Sequence, residues 1–262
     1  SIIAENRNAA SEPSTIRLRW KGKAVRDEFV VKPKLYVLAI GVGAYQDPNL
    51  KLGFAAKDAR DFAQSMERQK GGLYRDVTVR IPADQKATKD DIMDGLEWIQ
   101  RETTSKDVAM VFLAGHGVND PAGIYYYLPV NADTDKLKRT GVSFSDIRNT
   151  VASLAGKAVL FVDTCHSGNV MGTRRGVADI TAVVNELASA ENGVVVFASS
   201  TGRQYSLEDA SWGNGAFTKA LIAGLTGGAD FRKDGVVTHQ GLSYFLGQEV
   251  KTLTKGRQTP VT

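Results

Sequence analysis

The 262-residue chain has a net charge of +4, with 42% hydrophobic and 24% charged residues, the balance of an ordinary globular protein. Its lysines and arginines are scattered rather than gathered into a stripe, so no nucleic-acid partner is expected, and no apolar run is long enough to span a bilayer. One cysteine, Cys165, excludes an internal disulfide and a multi-cysteine zinc site, and the three histidines, His116, His166 and His239, lack the spacing of a metal-binding helix.

Residues 1–33 differ from the rest. Two short strand-like pieces joined by a polar stretch read as a β-hairpin, with an upstream β-sandwich as one source of missing partners. The N-terminus has neither an initiator Met nor a signal-peptide pattern, so the chain reads as a segment of something longer. A cytoplasmic location is the expectation, and a periplasmic one stays open.

From Lys34 to residue 262 strands and helices alternate, which predicts one α/β domain with a mostly parallel sheet of about six strands and helices on both faces. The apolar run 35–42 is the first strand. Residues 54–68 form a helix, with Phe54, Asp58 and Phe62 on one face, and 77–81 a second strand. Thr88 opens the next helix, 88–101, as N-cap, with Asp91 at the capping-box position. The third strand, 108–114, leads into Gly115-His116-Gly117. Residues 124–129, with three tyrosines, read as an edge strand or hairpin, and 145–154 as a helix. The strand 158–162 leads into Asp163-Thr164-Cys165-His166-Ser167-Gly168. A helix over 177–189, a strand over 194–199, helices over 216–225 and 238–253, and the start of a strand at 258–262 complete the pattern.

Two buried strands thus end in complementary chemistry. If they are neighbours, their carboxyl ends bring a thiol and an imidazole to the sheet rim, where ligands bind in open α/β sheets. Cys165 is then a nucleophile and His116 its acid/base partner. The amides of Gly117 and Cys165 are the natural oxyanion donors. Glycines 115 and 117 leave room for a substrate to approach the backbone.

Ala114-Gly115-His116-Gly117, followed by Asp163-Thr164-Cys165-His166-Ser167-Gly168 with the cysteine 49 residues after the histidine, resembles the caspase-like cysteine peptidases of family C14. A spacing of about 50 residues is that of caspases, although Asp163-Thr164 stands where their Gln-Ala would be. The resemblance is to the bacterial metacaspase and orthocaspase branch. It runs from about Lys34 to the C-terminus and includes the first strand and Asn214-Gly215-Ala216-Phe217-Thr218. It implies a caspase-haemoglobinase fold and a Cys165–His116 dyad; His166 is not the dyad base in such members.

The same resemblance bears on specificity. Asp163, two residues before Cys165, shares its face in a strand of period two. The segment Leu52-Gly53-Phe54-Ala55-Ala56-Lys57-Asp58 is similar to the metacaspase stretch that supplies a second acid to the S1 pocket, here Asp58. Glu208, after the fifth strand, aligns with a substrate-binding stretch and is the third S1 candidate. Carboxylates in a partly desolvated pocket favour Arg, then Lys, at P1. Arg174 and Arg175 in the loop after the cysteine are candidates for self-cleavage. Calcium, which many metacaspases need, would fall to Asp133, Asp135 and Asp146; with Ser145 in place of a paired Asp and Gly172 in place of another, no cofactor is expected. The resulting expectation is a monomeric endopeptidase acting on peptides with a basic P1 residue. The alternative is a catalytically silent interaction module that keeps the fold.

Overall fold

A computed structural model describes residues 31–166, 194–200 and 206–262. The N-terminal hairpin and the helix predicted over 177–189 lie outside these residues, apart from 31–33, which form no regular element.

The elements, in order, are β1 (Lys34–Gly41), α1 (Ala55–Glu67), β2 (Asp76–Arg80), α2 (Lys89–Glu102), β3 (Val108–Asn119), β4 (Tyr125–Tyr127), α3 (Leu137–Thr140), β5 (Val142–Ser143), α4 (Phe144–Ala152), β6 (Lys157–His166), β7 (Val195–Ala198), β8 (Glu208–Asp209), β9 (Asn214–Gly215), α5 (Ala216–Ala223) and α6 (His239–Thr254). β2, β1, β3, β6 and β7 form a parallel sheet in that order. β8 and β9 form a separate small antiparallel pair. The C-terminal segment adds an antiparallel bridge between Ala198 and Val261.

The sheet is buried on both faces, which explains why its strands read as continuous apolar runs. On one face Leu38 and Ile40 of β1, Val111 and Leu113 of β3, and Leu160 and Val162 of β6 pack against Ile92, Leu96 and Ile99 of α2 and Ile147 and Val151 of α4. On the other, Val37, Phe112, Phe161 and Phe197 meet Phe62 and Met66 of α1, Phe217 and Leu221 of α5, and Leu242, Leu246 and Val250 of α6. Phe62 stacks on Phe112 with ring centroids 4.7 Å apart, which fixes α1 over the middle of the sheet. Gly41 lets the start of α1 sit on the end of β1: a Cβ there would lie 2.4 Å from the Ala55 carbonyl oxygen. The capping box of α2 forms as the sequence predicts, between Thr88 and Asp91.

Strand ends differ from the sequence-based expectation at β6, which runs on past residue 162 to His166, and at β3. β3 does not stop before His116; it runs through Gly115-His116-Gly117 to Asn119. Of the two readings of the tyrosine segment, edge strand or hairpin, the hairpin holds: β4 follows β3 and pairs with it in antiparallel register, and the outer position belongs to β5. β1 leaves β3 at Gly41, opposite Ala114, and β4 then takes the vacated edge in antiparallel register, Gly117 opposite Tyr127, with β5 outside it. Glycines depress strand propensity, yet here the ladder has partners on both sides of β3 and overrides it.

Candidate active site

β3 and β6 are adjacent and parallel, with Ala114 opposite Asp163, His116 opposite Cys165 and Gly117 opposite His166. The backbones of His116 and Cys165 are therefore one strand spacing apart, about 4.8 Å. Of Cys165 and His166 the structure describes the backbone only.

His116 is buried, at 5% exposure, and held from three directions. Its main-chain N–H donates to the Tyr45 hydroxyl at 2.8 Å, and its carbonyl accepts from the Leu128 N–H at 3.0 Å. Its Nε2 lies 2.9 Å from the Leu50 carbonyl oxygen. A carbonyl can only accept, so Nε2 carries a proton and Nδ1 is the basic nitrogen of the neutral ring. The Tyr45 ring leans on the imidazole, with centroids 5.2 Å apart. Two further tyrosines grip the same strands: the Tyr127 hydroxyl donates to the Ala114 carbonyl at 2.7 Å, and the Tyr125 hydroxyl lies 2.8 Å from Thr164 Oγ1.

These rings correct the reason given for the glycines. A Cβ on Gly115, whose φ is +152°, would lie 2.8 Å from the Tyr45 hydroxyl and 2.9 Å from that of Tyr127. One on Gly117 would lie 1.7 Å from the Tyr125 hydroxyl. The space beside both glycines is filled by tyrosine, not kept open for a substrate. The sequence signalled this only through Tyr125-Tyr126-Tyr127, read as an edge strand or hairpin.

The three S1 candidates lie together. Asp58 from α1, Asp163 from β6 and Glu208 from β8 line one narrow pocket with Leu52, Ala55, Gly115, Ser206 and Gly215. Asp163 accepts from Ser206 Oγ at 2.7 Å and Thr218 Oγ1 at 2.8 Å. Asp58 accepts from Asn214 Nδ2 at 2.8 Å and, at 3.2 Å, from the Gly215 N–H. Glu208 accepts from the N–H groups of Gly53, at 2.9 Å, and Phe54, at 3.2 Å. A Cβ on Gly215 would be 3.1 Å from Asp58 Oδ2 and 3.3 Å from Asp163 Oδ2, so glycine alone fits between the two carboxylates without displacing either.

Every one of these named donors is neutral. Among the described residues no ion pair includes Asp58, Asp163 or Glu208. Burial, and then repulsion from Asp163, pushes the Asp58 carboxyl up to about 8. Burial also raises Asp163 and Glu208, against the hydrogen bonds that favour their charged forms. The open space in the pocket is about 10 Å³, that of one water molecule, so a long side chain enters only if the walls part.

Other candidates are not gathered. Asp133 caps the turn at 134–136 through Oδ1 and pairs with Lys136 Nζ at 2.7 Å through Oδ2. Asp135 lies in that turn, and Asp146 belongs to the first turn of α4. Among the described residues no three His, Cys, Asp or Glu side chains are arranged to hold a metal ion, and Asp133, Asp135 and Asp146 form no such group. Arg174 and Arg175 lie outside the described residues.

A mostly parallel sheet carrying a histidine strand beside a cysteine strand, flanked by helices on both faces, is the frame of a caspase-like peptidase. The family model of the caspase domain, peptidase C14, matches residues 34–261, and the chain belongs to that family of cysteine peptidases. Among solved structures, the crystal structure of protein GSU0716 from Geobacter sulfurreducens is similar in fold, with a TM-score of 0.60 at 16% identity, over 87% of this chain and 92% of that one. No curated protein matches the chain.

Proposed function

We propose that this chain is an endopeptidase that cleaves after arginine and, less well, lysine. The Cys165 thiol gives its proton to His116 Nδ1, and the sulfur attacks the scissile carbonyl carbon. The amides of Gly117 and Cys165 hold the resulting oxyanion. His116 returns the proton to the leaving amine, leaving an acyl-enzyme. It then takes a proton from water, whose oxygen attacks the thioester and releases the acid and the thiol. The Leu50 carbonyl keeps Nε2 protonated through the cycle, so the exchanged proton always sits on Nδ1. Asp58, Asp163 and Glu208 receive the P1 side chain, and Arg174 or Arg175 is the site of self-processing.

One observation supports the reading most: three carboxylates converge on neutral donors alone, at the end of the strand that carries Cys165. Such a pocket demands a cation, and the five-donor guanidinium fork meets two carboxylates better than an ammonium point charge does. No metal takes part in this scheme. Active-site titration with a peptidyl-arginyl electrophile tests it. Stoichiometric labelling of Cys165, with none in Cys165→Ala, is the expected result. Folded protein that remains unlabelled would mark a silent module instead.

A further inference from the structure

The loop between β1 and α1 holds both the Tyr45 hydroxyl and the Leu50 carbonyl, two of the three groups that fix His116. It is a closed unit. The Leu52 N–H donates to the Gly43 carbonyl at 3.0 Å, and the two run so close that a Cβ on Gly43 would lie 2.8 Å from the Leu52 carbonyl oxygen. Each foot of the loop is pinned by a carboxylate. At the first, Asp84 Oδ1 accepts from Gly43 at 3.0 Å and Ala44 at 2.9 Å. At the second, Glu208 accepts from Gly53 and Phe54. The two carboxylates differ in their surroundings: Asp84 faces Arg60 at 3.6 Å, whereas Glu208 lines the acidic pocket with Asp58 and Asp163.

We propose that Glu208 is a positioning residue that couples occupancy of the acidic pocket by a cationic side chain to the alignment of His116. The proposal rests on the pocket being the S1 site. A carboxylate offers about four lone-pair sites, so Glu208 can hold two amides and still meet a cation. With the pocket empty, burial and, to a lesser degree, the nearby Asp163 oppose its ionisation, and a protonated carboxyl grips the two amides less well. A cation in the pocket fixes Glu208 as an anion and tightens the foot at Gly53. Leu50, three residues before, then holds Nε2 of His116 in place. Binding energy from the P1 side chain is in this way used at the reacting atoms.

The test uses iodoacetamide, which alkylates Cys165 without filling the pocket, and n-propylguanidine, which fills the pocket without a scissile bond. In the wild-type chain propylguanidine should compete with an arginyl peptide and accelerate alkylation about fivefold or more. Glu208→Gln should lose the acceleration and lower kcat as well as raise KM for the arginyl peptide. Asp84→Asn should slow alkylation yet keep the acceleration, since Asp84 pins the loop outside the pocket. Propylguanidine that fails to compete overturns the S1 reading, and the coupling with it. Competition without acceleration in the wild-type chain overturns the coupling alone, whatever the variants do. Equal acceleration in folded Glu208→Gln does the same.

Discussion

Two sets of three carboxylates stand out along this chain, and the fold treats them differently. Asp58, Asp163 and Glu208 come from segments far apart in sequence and meet in one pocket, buried or half-buried, with hydroxyl and amide donors. Asp133, Asp135 and Asp146 are close in sequence but do not meet as a ligand set; Asp133 is occupied by a turn and a lysine. Neighbourhood in sequence is thus a poor guide to a site. What distinguishes the first set is that among the described residues no cation pairs with it and burial raises all three carboxyls, the pattern on which the proposed S1 role rests.

Substitutions can break this contrast. The largest effect is expected at Asp163, where the charged form is already hydrogen-bonded at both oxygens. Asp163→Asn keeps the shape, and the two hydroxyls can turn to suit an amide. Cleavage after arginine should fall about 100-fold in kcat/KM, the worth of a charge-assisted pair. A comparable loss for uncharged P1 residues would mean that Asp163 supports Cys165 rather than P1.

Asp58→Asn should have a smaller effect on turnover and a clear effect on stability. A carboxyl whose folded pKa is raised binds its proton more tightly in the folded chain than in the unfolded one. It therefore favours folding at low pH, and this contribution is lost as pH rises from 3.8 to about 8. The melting temperature of Asp58→Asn should gain on the wild type across that window and then run parallel to it. Melting curves between pH 4 and 9 check this, and a constant difference would show that Asp58 does not carry the raised pKa.

The smallest effect belongs to the second set. Asp133→Ala should leave turnover unchanged, as should chelation of calcium with EGTA, both measured on an arginyl peptide. Activity that vanishes on chelation and returns with calcium would make that set the functional one.

Much of the frame was legible from periodicity. Strand–helix alternation gave the parallel sheet, and Thr88 with Asp91 gave the start of α2. Two apolar runs that end in chemistry made the facing of His116 and Cys165 a condition only, because strand order was not legible; the fold supplies the adjacency. Asp58, Asp163 and Glu208 were singled out through the family resemblance; their convergence needed the fold. The grip on His116 was not legible. It uses the carbonyl of Leu50, and a backbone carbonyl leaves no trace in residue type. The same holds for Gly115 and Gly117: glycine says that a Cβ does not fit, but not that tyrosine hydroxyls fill the space. The continuation of β3 to Asn119 was hidden because a ladder partner, β4, supplied what local propensity lacked.

The account stands on the cation demand of the pocket, and one ratio measures it: kcat/KM for two fluorogenic peptides identical except for Arg or Asp at P1. A pocket of three carboxylates should favour arginine by several orders of magnitude, through attraction to one residue and repulsion of the other. Equal turnover of the two peptides, or preference for aspartate, would contradict it.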